Sequence, residues 1–247
     1  MTESHLRIGV IDPEVLGTYG DTGNALVLAH RARSRGVDAD IVMVHLDETI
    51  PADLDLYVMG GGEDTAQALA AEHLRTSRAF SAALARGHAP LLAICASFQI
   101  LGHSYTDAHG RTVAGAGLLD CHTCPQGFRS IGELVSTPLL DGLTQALTGF
   151  ENHGGATQLG PDATPLGRVK AGAGNATDAS ERVDGACQGS IVATYMHGPA
   201  LARNPELADL LLARALGVSP GSLAPLEVPF VADLRAERLA HSQVNTP

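Results

Sequence analysis

The sequence predicts an α/β fold, a three-layer sandwich on a mostly parallel sheet, and three observations carry that prediction. Strand and helix signals alternate from Leu6 to Leu101, the order expected when crossover helices return the chain to neighbouring parallel strands. The strands there are short continuous apolar runs such as Leu91-Leu92-Ala93-Ile94, and a strand apolar at successive positions is covered on both faces. The chain has 247 residues, 45% hydrophobic and 17% charged, with 28 glycines, which fits a single domain over 1–247.

Taken in order, Leu6 to Ile11 is a strand that stops at Asp12-Pro13. Gly20-Asp21-Thr22-Gly23-Asn24 opens a helix over Ala25 to Ser34, closed by Gly36. Ala39 to Leu46 and Leu54 to Met59 are the next strands, the second running into Gly60-Gly61-Gly62. One long helix is expected from Thr65 to Arg86, with Gly87 just beyond it, then a strand over Pro90 to Ile94 and a helix from Ser97 to Leu101. Between Thr106 and Gly189 scattered glycine and proline predict shorter, partly antiparallel strands with long loops. Gly189 to Tyr195 is a clear β run that leads into Met196-His197-Gly198-Pro199, and helices follow over Pro205 to Leu216 and Phe230 to His241. The polar C-terminal helix and tail, 232–247, is expected either to dock on a partner or to fray.

Sixteen basic against twenty-seven acidic residues give a net charge of −11, a surface that repels a phosphate backbone and argues against nucleic-acid binding. The polar start, Met1 to Arg7, lacks the features of a secretory signal. The most apolar stretch, Ala89 to Gly102, is shorter than the about 20 residues a membrane helix needs. A cytoplasmic location is therefore expected. Four cysteines in a chain of this length make no disulfide scaffold, so each is a structural thiol, a ligand or a nucleophile.

Cys95 is the most informative of them. A buried strand ends on it, small residues flank it, and a helix starts at once. That sharp turn exposes a nucleophile, sets the sulfur at a helix N-terminus that favours thiolate, and leaves backbone N–H groups free for an oxyanion. Taken alone, a free cysteine is most often a small buried hydrophobe. Two further segments add weight. Three glycines after a strand, Gly60 to Gly62, let backbone approach a ligand closely, although a glycine triplet is often only a turn. His197 ends a β run, where an imidazole can take a proton from a thiol and return it to a leaving amine. Eleven histidines keep open the plainer alternative of a loop histidine satisfied by its neighbours.

Together these segments resemble class I glutamine amidotransferases. The strand–Cys95–helix elbow with Gln99 four residues on is similar to the family's nucleophile motif, Gly60 to Gly62 to its oxyanion strand, and His197 to its histidine. Two departures stand out: Ala93 and Ser97 replace usual glycines, and Pro199 stands where triad members carry glutamate. The missing acid is similar to the cobyric acid synthase-like branch. Within it, Tyr19 to Asn24, Gly127 to Glu133 and Phe150 to Gly155 resemble the GatD subunits of lipid II isoglutaminyl synthases.

The resemblance implies a cysteine nucleophile at Cys95, general acid–base work by His197, an oxyanion hole from the backbone of Gly61 and Ala96, and substrate binding by Arg129, with Gln99 either supporting the elbow or touching substrate. A guanidinium suits the α-carboxylate of glutamine because it offers two parallel hydrogen bonds. It also implies a heterodimer in which a Mur-ligase-like subunit, MurT in that family, carries the ATP and Mg, this subunit needing no cofactor, and in which lipid II is reached only through the partner. The acid that supports His197 is open: Glu151, Asp64 or a partner residue could supply it.

Other readings are weaker. Cys121-His122-Thr123-Cys124 is a lone C-x-x-C; a zinc site would need more ligands, from His103, His109 or Cys187, and a redox pair lacks its usual context, so no metal is expected. Gly17-Thr18-Tyr19-Gly20 does not follow the dinucleotide fingerprint, and no phosphate-cradling G-x-x-x-x-G-K-[ST] loop is visible. A corrinoid or other carboxylated metabolite could be the acceptor instead. A catalytically silent partner subunit would be expected to lack Cys95 or His197, and both are present.

Overall fold

The computed structural model describes residues 5–87, 89–107, 109–176, 181–228 and 230–244, without the side chains of Asp64 and residues 241–244. The strands are β1 (His5–Ile11), β2 (Asp38–Val44), β3 (Leu56–Met59), β4 (Leu91–Ile94), β5 (Ser104–Thr106), β6 (Thr112–Ala114), β7 (Cys121–Pro138), β8 (Leu147–Leu159), β9 (Gly167–Ala171), β10 (Val183–Asp184), β11 (Ala186–Gln188) and β12 (Ile191–Thr194). The helices are α1 (Gly23–Arg33), α2 (Asp64–Thr76), α3 (Arg78–Ala85), α4 (Ala96–Leu101), α5 (Ala200–Arg203), α6 (Pro205–Leu216) and α7 (Val231–Val244).

One six-stranded sheet has the order β11-β12-β4-β3-β1-β2, parallel throughout except for the antiparallel edge strand β11. Every residue of its central strands β3, β4 and β12 is buried, as the continuous apolar runs require. Helices α1, α5 and α6 pack together, as do α2, α3 and α4. Helix α6 shows how sequence sets its ends: Pro205 stands in its first turn and Gly217, at φ 66, closes it in the left-handed conformation. Among the described residues no helix is long and apolar enough to cross a membrane.

The expected long helix over 65–86 is two helices. Ser77, at ψ 64, separates α2 from α3, and the Thr76 and Ser77 hydroxyls donate to the His73 carbonyl, a local bond that competes with helix continuation. The larger correction lies between Thr106 and Gly189. The second sheet contains two long antiparallel strands, β7 and β8, paired from Cys121↔Leu159 to Ser136↔Leu147. Their register shifts between Pro125 and Ser130, and such a bulge re-aims the side chains beside it. Helix α7 is tied to the body at Arg235, which is buried and donates to the carbonyls of Arg203 and Ala146.

Candidate active site

Cys95 follows directly on β4 with φ 53 and ψ −103, a conformation that L-residues adopt only when the surroundings enforce it. Three contacts enforce it here. Its N–H donates to the Thr194 carbonyl at 2.9 Å, its carbonyl accepts from Gln99 N–H at 3.2 Å, and β4 is clamped between β3 and β12. Ser97, one of the two departures from glycine, uses its hydroxyl to donate to the Gly60 carbonyl, so the extra atoms fasten the elbow to the glycine strand. The glycine triplet is needed for close approach. A Cβ on Gly60 or Gly62 would collide with the carbonyls of Leu16 or Val15, and one on Gly61 would lie 2.7 Å from the His197 ring.

Since β12 pairs with β4 in parallel, Thr194 opposite Ile94, the chain leaving β12 passes beside Cys95. His197 is then fixed by its N–H donating to the Phe150 carbonyl at 2.8 Å. Its Nδ1 lies 2.9 Å from Oδ2 of Asp21, a carboxylate 176 residues away in sequence and fully buried. Nε2 is buried with no aligned hydrogen-bond partner among the described residues, yet Cys95 is close enough to act on it. Burial on its own would lower the basicity of His197; the hydrogen bond to Asp21 and the adjacent Cys95 outweigh it and push the pKa up to about 10. An imidazole of that basicity sets a positive charge beside the sulfur. Helix α4 has only six residues, so this imidazolium is a larger local charge than the helix end.

The same Asp21 oxygen accepts from Gly61 N–H at 2.9 Å. That N–H, expected to serve an oxyanion, is therefore engaged elsewhere, and it is Gly62 that lines the cavity beside Cys95 and Ala96. Ala96 opens α4, where first-turn N–H groups have no helical acceptor.

The cavity over Cys95 is about 200 Å³. Arg129, carried into it beside the bulge of β7, donates from Nε to Asn152 Oδ1 at 2.6 Å and from Nη2 to the Tyr19 hydroxyl at 3.2 Å. Gln99 also lines the cavity, but both ends of its amide are in use: Oε1 accepts from Gln67 at 2.7 Å and Nε2 donates to the Tyr195 hydroxyl at 3.2 Å. These two bonds tie it to α2 and to the chain just beyond β12, while one amide N–H and one carbonyl lone pair remain for a ligand.

Residues 7–205 match the CobB/CobQ-like glutamine amidotransferase domain family. The chain belongs to that family. It is 32% identical over 231 residues to the GatD subunit of the glutamine-hydrolysing lipid II isoglutaminyl synthase of Staphylococcus aureus, covering 93% of this chain and 92% of that protein. It is 33% identical over 239 residues to the GatD subunit of Streptococcus pneumoniae, covering 95% and 89%. A cobyric acid synthase of Brucella anthropi is 35% identical over 170 residues, 65% of this chain but 32% of that protein. Among solved structures, a glutamine amidotransferase superposes with a TM-score of 0.55 at 18% identity, covering 85% of this chain and 99% of the other. The glutaminase domain of Trypanosoma brucei CTPS superposes with a TM-score of 0.51 at 12% identity, covering 87% and 95%. The chain is accordingly a glutamine amidotransferase, a glutamine-hydrolysing enzyme.

In this amidotransferase the residues expected from the sequence at Cys95, His197, Ala96, Gln99 and Arg129 converge, while the Gly61 N–H is committed to Asp21. Sequence reasoning missed Asp21 as the support of His197. Glu151, offered for that place, instead accepts from the N–H groups of Ala173 and Gly174 at 2.6 and 2.9 Å, and the Asp64 side chain lies outside the described residues. The signal was present in Tyr19-Gly20-Asp21-Thr22-Gly23-Asn24, a stretch noticed for its resemblance but not for its acid. Cys121 and Cys124, three apart on β7, leave opposite faces of the strand, the first buried and the second exposed. Burial pushes the Cys121 thiol up to about 12. Among the described residues no cluster suited to a metal is present.

Proposed function

We propose that this amidotransferase is the glutaminase subunit of a lipid II isoglutaminyl synthase, acting in the cytoplasm in a heterodimer with a Mur-ligase-like subunit. The partner, with ATP and Mg, activates the α-carboxylate of D-glutamate in the stem peptide, and this subunit, without a cofactor of its own, supplies the ammonia. The observation that carries the reading is similarity to GatD proteins along nearly the whole of both chains. The similar cobyric acid synthases are about three times as long as the part they share with this chain, which argues for an acceptor other than a corrinoid.

In the proposed reaction the Cys95 thiolate attacks the side-chain amide carbon of L-glutamine. Ala96 N–H and the backbone at Gly62 receive the oxyanion, a contribution typically worth about 100-fold or more in rate per donor. His197 gives its proton to the departing nitrogen as the C–N bond breaks, releasing ammonia and leaving a thioester. It then takes a proton from water as the water adds to the acyl carbon, and glutamate leaves with the thiolate restored. Asp21 holds the imidazole orientation and stabilises its protonated form, and Arg129 holds the α-carboxylate.

The test is amidation of lipid II by the two-subunit complex with ATP and amide-labelled glutamine. Label should appear in the α-carboxamide of the product. Cys95→Ala should cut glutamine-driven amidation by on the order of 10³-fold or more and leave ammonium-driven amidation intact. Unimpaired glutamine use by that variant would refute the mechanism, and a labelled corrinoid in place of lipid II would move the acceptor.

A further inference from the structure

Asp12 and His73 lie outside the cavity over Cys95. Asp12 follows β1 at φ 53 and is fully buried, a conformation that a residue other than glycine holds only against strain. One carboxylate oxygen, Oδ2, has no hydrogen-bond partner among the described residues. The other, Oδ1, lies 2.7 Å from Nδ1 of His73, a nearly buried side chain on α2. Nε2 of the same ring lies 2.8 Å from the Glu48 carbonyl. A carbonyl only accepts, so Nε2 carries a hydrogen. The hydrogen in the 2.7 Å contact must then be a second one on the ring or one on the carboxyl group. Either way the pair holds one proton more than a neutral imidazole and a carboxylate would. Burial pushes the Asp12 carboxyl up to about 6, although the bond to His73 works against the rise. A strained, half-satisfied buried acid is a poor source of stability, since well-packed apolar residues in such a place often serve as well or better.

What the pair does is close a ring of contacts behind the glycine strand. The Asp12 carbonyl accepts from the N–H groups of Val15 and Leu16 at 3.0 and 2.8 Å, forming a turn. Within that turn Glu14 binds the loop after β2 through the Leu46 N–H at 2.9 Å. The carbonyls of Val15 and Leu16 press on Gly62 and Gly60 so closely that a Cβ on either glycine would collide with them. The glycines run through Glu63 into α2, and α2 returns to the turn through His73. We propose that Asp12 and His73 are positioning residues: by sharing one proton they clamp α2 to the turn, and so hold the backbone at Gly62 where it receives the oxyanion. The proposal rests on the reading that Gly62 does receive it.

The experiment measures glutamine hydrolysis by the full chain with its synthetase partner, and alkylation of Cys95 by iodoacetamide, in two variants that keep one bond each. His73→Asn keeps an N–H at the Nδ1 distance and with it the bond to Asp12. His73→Gln keeps one at the Nε2 distance and with it the bond to Glu48. The clamp predicts kcat within about threefold of the parent for His73→Asn and roughly 10- to 100-fold down for His73→Gln, the cost of misplacing one oxyanion donor. In both, KM for glutamine should stay within about twofold and Cys95 should be alkylated at the parent rate, which a general loosening of the fold would not allow. Equal losses in the two variants, parent kcat in His73→Gln, or a loss carried by KM or by alkylation would each overturn the proposal. Should His73→Gln fail to fold, Asp12→Asn decides. Its amide donates to a bare Nδ1 and closes the clamp without the shared proton, so a kcat more than about threefold down would overturn the clamp. A parent complex that leaves glutamine intact would overturn the oxyanion reading itself, a different result.

Discussion

In the parallel sheet the reactive groups are placed by backbone. Cys95 is held at φ 53 by the strand pairing on either side of it, His197 by a main-chain bond to Phe150, and Asp21 is fully buried. In the antiparallel sheet the recognition groups are placed by side chains: Arg129 stands beside a register shift, exposed, and leans on Asn152 and Tyr19. Strand-clamped groups cannot shift without disturbing a close-packed core, so this half suits chemistry that depends on fixed geometry. Exposed groups beside a register shift can adjust at small cost, which suits capture of a flexible solute. The contrast makes a kinetic claim: damage to the first region should appear in kcat, damage to the second in KM.

The strongest attempt to break that claim is Asp21→Asn. Losing the carboxylate behind a catalytic histidine costs on the order of 10³- to 10⁴-fold in kcat, and KM should barely move. Stopped assays of ammonia release across pH add a second readout. His197 is raised from 6.5 to about 10, so its stabilising contribution is complete below about pH 6.5 and is lost as pH climbs through 10. The variant, without its largest raising partner, should lose activity at lower pH on the alkaline side than the parent. An unchanged alkaline limb would show that Asp21 does not support His197.

Next in size is Arg129→Lys. Lysine keeps the charge but not the fork, and KM for glutamine should rise roughly 10-fold or more with kcat within about twofold. A collapse in kcat would erase the distinction between the two sheets. The smallest effect is expected for Ser97→Ala, which leaves the buried Gly60 carbonyl without its hydroxyl donor. Urea unfolding should show a loss of about 1 to 3 kcal/mol, with only a few-fold change in turnover, since neither Ser97 nor Gly60 lines the cavity.

The parallel half was legible because its signals are local. Continuous apolar runs gave the buried strands, and small residues around Cys95 gave the elbow. Two features there were not legible. Ser77 breaks a helix without proline or glycine, through hydroxyl bonds visible only in three dimensions. Asp21 reaches His197 across 176 residues, and no spacing rule connects positions so far apart. In the antiparallel half, glycines misled. Gly155 lies inside β8, where it makes room for the Gln99 amide 2.6 Å from where its Cβ would be. A glycine kept for close approach reads in sequence like a turn.

Pro199 gives the acid's unusual origin a further meaning. Its ring rests against Gly23 so tightly that a Cβ on the glycine would collide with it, and Gly23 begins the helix that follows Asp21. The place where related triads keep their acid is filled here by a wedge that seats the replacement. Replacing Pro199 by glutamate would therefore remove the ring that packs on Gly23, two residues from the acid that supports His197.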